Sequence, residues 1–93
     1  MGVPATWQQS GSQLQSATVL FNEPTKPVEQ FGMEYQPEAW EMEYRQEQFE
    51  GLYESVRQGG YEQVEIQGRT FAVREVTLLH DGLTYRAKLQ EQL

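Results

Sequence analysis

The most regular pattern of apolar and polar positions lies in the last third of the chain. From Val64 to Leu89 apolar residues recur at every second position in short runs, interrupted at Gln67–Gly68, at Arg74–Glu75 and at Asp81–Gly82. Alternation of this kind is the mark of half-buried strands, and Gly-containing pairs between such runs mark hairpin turns. A two-residue turn at Gln67–Gly68 sets Val64 opposite Phe71, an apolar cross-strand pair. A turn at Asp81–Gly82 sets Leu78 opposite Tyr85 and Val76 opposite Ala87. Carried on unchanged, that register would oppose Arg74 to Leu89, because the apolar phase changes between Val73 and Val76. One extra residue at Arg74–Glu75, a β-bulge, brings Val73 opposite Leu89 instead. A bulge bends its strand, and bent strands let a small sheet curl into a barrel.

The earlier chain is less even. Ala17–Asn22 is rich in β-branched and aromatic residues and stops at Asn22, Glu23 and Pro24, which predicts a strand. Pro24 and Pro27 make 23–27 a loop. Phe31, Met33 and Tyr35 alternate with Gln30, Gly32 and Glu34, so 28–35 is expected as one half-buried strand, ended by Gln36–Pro37. Trp40, Met42 and Tyr44 keep strand period to about Arg45. Phe49, Leu52, Tyr53 and Val56 then fall at helical spacing, predicting a short helix over 48–58 that ends at Gly59–Gly60. Gly51 is out of place in such a helix. Residues 1–16 show no period and are dominated by Gly, Pro, Ser and Gln. They read as a flexible arm that either folds back on its own domain or, since sixteen extended residues reach ~50 Å, docks on a neighbour. Trp7 within it is costly to leave in water.

These elements predict a mainly β fold: a small antiparallel β-barrel of about six strands with one short helix and a flexible N-terminal arm. The arm is 1–16, and 17–93 is a single barrel domain. Its expected core is Val19, Phe21, Phe31, Met33, Val64, Ile66, Phe71, Val73, Val76, Leu78, Tyr85, Ala87 and Leu89. A length of 93 residues leaves room for one core only.

Charge changes the picture from fold to partner. The chain carries −7, and the imbalance is local: between Glu23 and Glu65 there are eleven acids and three bases. An acidic middle repels nucleic acid and attracts basic partners, which argues against a protein that binds DNA by neutralising phosphates. Thirteen Gln residues add a polar surface that reads as a solvated face. There is no Cys, so disulfides, thiolate metal sites and thiol nucleophiles are excluded. No apolar run approaches the ~20 residues of a membrane-spanning helix, and Met1–Gln9 lacks the basic and apolar stretches of a secretory signal. A soluble protein assembled in the cytoplasm is expected.

Candidate chemistry is sparse. His80, the single His, lies beside a turn, and its only acid neighbour is Asp81, at a hairpin tip with no pocket to exclude water. Gly59–Gly60 lacks the Lys and context of a phosphate loop. A site of Glu alone would bind metal weakly. No catalytic residue, metal site or cofactor is expected. Aromatic residues offer more: Trp7, Tyr35, Trp40, Tyr44, Phe49, Tyr53 and Tyr61 exceed what so small a domain easily buries, and the surplus suits a protein interface. Val3, Trp7, Leu14, Trp40, Phe49 and Tyr53 are the candidate assembly contacts.

The order of strand, Pro-bearing loop, aromatic-acidic strand, short helix ending in Gly-Gly and two Gly-turn hairpins is familiar. Val64, Ile66, Gly68, Phe71, Val73, Val76, Asp81, Gly82, Ala87 and Leu89 follow the double-hairpin pattern of the head–tail joining proteins of long-tailed bacteriophages, also called head-completion or stopper proteins. The chain resembles them over about residues 17–90. The resemblance implies a structural virion protein at the head–tail neck. It would form a ring, commonly of six subunits, beneath a portal and adaptor, close the DNA channel after packaging and present a docking face for a tail protein or tail terminator. DNA would pass without specific binding. Glu34, Glu38, Glu41, Glu43, Glu47 and Glu50 are then candidates to face the channel, where acids let DNA slide. Two other readings are a tail terminator or other tail-ring protein of similar fold, and a small acidic inhibitor or nucleic-acid mimic of a basic protein.

Overall fold

A computed structural model describes residues 2–8, 13–24, 28–30, 33–35 and 39–92, with 28–30 and 33–35 described as backbone. Six strands close into an antiparallel barrel in the order β1(Val3–Gln8), β2(Leu14–Asn22), β5(Trp40–Arg45), β8(Thr84–Gln92), β7(Arg69–Leu78), β6(Glu62–Ile66) and back to β1. A separate two-stranded sheet pairs β3(Val28–Gln30) with β4(Met33–Tyr35). The helix α1 spans Leu52–Arg57. The mainly β barrel with one short helix is therefore the observed fold.

The β6–β7–β8 meander follows its turn chemistry. Gln67 and Gly68 both take left-handed φ, 54° and 75°, as a type I′ hairpin requires, and Val64 pairs with Phe71. On the second hairpin Leu78 pairs with Tyr85, Val76 with Ala87 and, across a bulge between Val73 and Glu75, Val73 with Leu89. The loop at its tip is longer than two residues. Leu79 N donates to Thr84 O at 2.8 Å, leaving 80–83 as the connection. Asp81 Oδ1 accepts from the amides of Leu83 and Thr84, and Thr84 Oγ1 donates to Asp81 Oδ2. These bonds hold the Asp81 carboxyl below its usual range, the Leu83 amide foremost.

The expected arm is where the fold differs most. Residues 3–8 form β1, which pairs with β2 on one side and with β6 on the other and so closes the barrel. Ala5 and Trp7 point inward and are buried. Of the two fates read for the arm, folding back is the one observed for its described residues. The physical reason is the missing closure: without β1, β2 and β6 would leave two unpaired edges and a core open at the Trp7 position.

Three further differences are local. Residues 28–35 are two short strands rather than one; Phe31 lies outside the described residues, as does the side chain of Met33. The helix is shorter than 48–58. Phe49 (φ 47°) and Gly51 (φ 98°) both adopt left-handed backbone, which no helix continues through. Its C-terminus is as expected: Gly60 N donates to Ser55 O at 2.8 Å and Gly59 N to Val56 O at 3.0 Å, a Schellman motif. A Cβ on Gly60 would lie 2.5 Å from Ser55 Oγ, so this position takes no larger residue without a shift. Finally, Leu78 is exposed rather than buried, because the β7–β8 hairpin runs past the last β6 partner.

The core is Ala5, Trp7, Val19, Met42, Tyr44, Phe49, Leu52, Val64, Ile66, Phe71, Val73, Ala87 and Leu89, with Phe21, Val76 and Tyr85 packed against it. Met42, Phe49 and Leu52 fill it from β5, from the connection that follows and from the start of α1, so that this segment covers one end of the core.

Candidate interaction surface

The end of the barrel where β1, β5 and β7 finish carries most of the irregular backbone among the described residues. The loop after β5 is tied to β2 by two glutamines. Gln15 Nε2 donates to Glu50 O and Gln15 Oε1 accepts from Glu50 N at 3.1 Å, while Gln48 bridges Arg45 N and Thr18 O. These glutamines were expected as solvated surface; here they fasten a loop. Glu62 fastens the helix. Trp7 Nε1 donates to Glu62 Oε1 at 2.9 Å, and Ser55 Oγ donates to its other oxygen.

At the opposite end, Trp40 stacks on Phe21 with ring centroids 5.2 Å apart, and the Arg69 guanidinium lies 4.5 Å from the Trp40 ring centroid. Arg69 makes a two-pronged bond to Glu91, both contacts at 2.8 Å. The pair raises Arg69 and lowers Glu91, each chiefly through that shared hydrogen bond.

Most of the predicted contact residues belong to the domain itself. Trp7 and Phe49 are 1% and 3% exposed and cannot meet a partner. Val3 and Trp40 pack against the core. Tyr53 is half-buried, stacked on Tyr85 at 4.8 Å with Arg57 near its ring. Leu14 alone of the six is well exposed, at 58%. The surplus of aromatics is thus largely absorbed by stacking: Tyr44, Tyr85 and Tyr53 form a chain of rings. Burial pushes the Tyr44 phenol above the ordinary tyrosine range, and its hydroxyl finds no hydrogen-bond partner among the described residues.

The acids divide in the same way. Glu41 and Glu43 sit on the outer face of β5 yet are 4% and 5% exposed, with Arg86 Nε 3.6 and 3.5 Å from their carboxylates. They cannot line a channel, a correction that follows from cross-strand pairing: Glu43 lies opposite Arg86 and Glu41 opposite Lys88. Glu47, 3.7 Å from Arg45, and Glu50 are exposed. Glu38 and the side chain of Glu34 lie outside the described residues.

Among the described residues, most of the exposed apolar side chains lie at the first end; Leu20, 45% exposed, lies on β2 toward the other. Leu14 and Tyr61 are 58% and 64% exposed beside a cleft of about 450 Å³ that runs along the outer face of β1 and β6. Leu78 and Leu83 are 46% and 45% exposed on the projecting β7–β8 hairpin. Neither hairpin leucine is among the six candidate contacts, nor is Tyr61, which belongs only to the aromatic surplus; the exposure of Leu78 follows from β7 outrunning β6. Among the described residues no cluster of His, Asp or Glu is placed to hold a metal ion, and no described helix is long and apolar enough to cross a membrane.

Comparison with curated proteins and with solved structures finds no match. A family model does match, over residues 1–90, so that β1 and all but the last two residues of the second hairpin fall within it. The chain belongs to the phage head-tail attachment protein family.

Proposed function

We propose that this chain is a structural subunit of the neck of a tailed-phage virion, where it joins the DNA-filled head to the tail. The family match over residues 1–90 carries this reading. In its finer form, copies of the chain assemble in the host cytoplasm into a ring, hexameric, beneath the portal or adaptor. The ring retains packaged DNA and offers a docking face to the tail terminator or another tail protein. It does so without catalysis, metal or cofactor. The closed barrel supports the reading, since a rigid body with no free barrel edge is suited to permanent assembly. So do the exposed leucines Leu14, Leu20, Leu78 and Leu83 on separated parts of the surface. Of the acids first considered for the channel, Glu34, Glu38, Glu47 and Glu50 stay available to it.

Phage lacking the gene tests this. Infected cells should accumulate DNA-filled heads and complete, unattached tails, and adding purified protein to that lysate should restore infectious particles. Tails of uncontrolled length would reassign the protein to tail termination, and wild-type particle yields would overturn the neck reading.

A further inference from the structure

The helical spacing of Phe49, Leu52, Tyr53 and Val56 marks one apolar face over 48–58, yet α1 begins only at Leu52. Two backbone choices stop it. Phe49 holds φ 47°, a left-handed conformation that is an outlier for a bulky side chain. Leu52 N then donates to Phe49 O at 3.0 Å, closing a turn whose third residue is Gly51. At φ 98° and ψ −14°, Gly51 has the conformation that a type II turn reserves for glycine. The helix so begun has no side-chain cap at its N-terminus.

Contacts from outside the segment hold this arrangement. The buried Phe49 ring has Trp7 and Tyr44 at centroid distances of 6.2 and 5.6 Å. Gln15 on β2 takes both backbone groups of Glu50: its Nε2 donates to Glu50 O at 3.3 Å and its Oε1 accepts from Glu50 N at 3.1 Å. In a helix continued toward its N-terminus, that carbonyl would accept from Glu54 N instead. The clamped turn carries a cost at two points that touch. A bulky residue sits in a sparsely populated conformation, and the hydroxyl of the neighbouring Tyr44 is buried without a hydrogen-bond partner among the described residues. A helical Phe49 withdrawn from the core relieves the first and lets water reach the second. Glu47 and Glu50 would then stand in the opening turn of the helix, where its dipole favours acids, and at the spacing that sets them opposite the apolar stripe.

We propose that residues 46–51 are a two-state element, with the clamped turn as one state and, as the other, a helix running unbroken over 48–58 with Phe49 withdrawn from the barrel. The clamped turn is the dominant state of the single chain, and the Gln15 amide is its latch. A contact that takes up that amide shifts the population toward the helix. The device belongs to the single chain and stands apart from the neck reading.

Nuclear magnetic resonance on the isotope-labelled full chain tests this. Cα chemical shifts separate helix from coil, and relaxation dispersion detects minor states that exchange in microseconds to milliseconds. Gly51→Ala favours helix by about fivefold from propensity alone and opposes the left-handed turn. Residues 49–51 of that variant should show helical Cα shifts, and a Phe49 that keeps its left-handed shifts overturns the proposal. Gln15→Ala removes the latch and leaves the turn residues untouched, so it decides the case should Gly51→Ala not fold. Dispersion at 46–51 should then report a minor state about threefold or more populated than in the wild type, with helical Cα shifts. Coil shifts in that minor state would mean ordinary fraying of a loop, and flat profiles would mean that Gln15 latches nothing; either result overturns the proposal.

Discussion

The first strand and the C-terminal meander are both parts of one closed ladder, yet they are specified by different physics. In the meander each strand is placed by its neighbour in sequence. Gln67 and Gly68 supply the backbone of a type I′ turn, and the bulge after Val73 corrects the apolar phase so that both hairpins present one face to the core. In β1 nothing local demands a strand. Pro4 and Ala5 are poor strand formers, and the segment is held by what it meets: β2 and β6 on either side, Trp7 in the core, and Glu62 accepting from the indole. A strand made by turns announces itself in a short window of sequence. A strand made by remote contacts reads as coil until those contacts are known.

The most forceful way to break this comparison is at Trp7. If β1 is a structural strand, Trp7→Ala leaves a large cavity and should cost about 3–5 kcal/mol, and removal of residues 1–8 should abolish cooperative unfolding. Urea denaturation followed by far-UV circular dichroism measures both. A truncated chain that melts like the full one would return β1 to the status of an arm.

The meander should answer to its turns instead. Gly68 has φ 75° and open space around its Cβ direction, so Gly68→Val meets backbone strain but no clash. A β-branched residue held at such a φ should cost about 1–3 kcal/mol, read from the same denaturation curves, while Gly68→Asn, which tolerates the left-handed region, should cost much less.

A smaller effect tests the Arg69–Glu91 end of the barrel by pH. Glu91 is lowered by its hydrogen bond from Arg69, so its contribution is complete above the unfolded carboxylate pKa and is lost as pH falls through the lower folded value. Melting temperature should therefore drop on acidification below about pH 4.5, and Glu91→Gln should reduce that drop while lowering stability near neutrality. Asp81 acts in the same direction through the Leu83 and Thr84 amides. An acid limb unchanged in the Glu91→Gln variant would leave the Arg69–Glu91 pair without a role in stability.

These cases mark what could be read from the chain alone. Register was legible to the residue in the two hairpins because alternation, turn residues and the phase change at Arg74 all point to one pairing. The core contributions of Met42, Tyr44 and Leu52 lay in segments whose patterning was noted but whose partners come from distant strands. Trp7 was visible as an anomaly, a costly aromatic in a polar segment, without a partner to explain it. The interaction surface was the least legible part. Surplus aromatics pointed to an interface, but rings that stack on one another, such as Tyr53 on Tyr85, cover their own area. The exposed apolar surface turned out to be leucines and Tyr61, made available by strand lengths that do not match.

The acidic stretch gives the smallest expected change in stability and the sharpest division within one segment. Glu43 is buried beside Arg86, whereas Glu47 and Glu50, only a few residues on, are exposed in the loop that Gln15 and Gln48 hold against β2. Replacing both loop acids by Lys should alter unfolding free energy by less than about 0.5 kcal/mol per site, as for exposed residues generally. Glu43→Lys should cost several-fold more, since it puts a second cation beside Arg86 in a dry site. If the loop acids face the DNA path, the double Glu47→Lys, Glu50→Lys particle should assemble yet eject its DNA more slowly, because the introduced cations hold phosphates, and the delay should shrink as salt is raised. Ejection at the wild-type rate across that salt range would place Glu47 and Glu50 on the outside of the neck and confine their role to solubility.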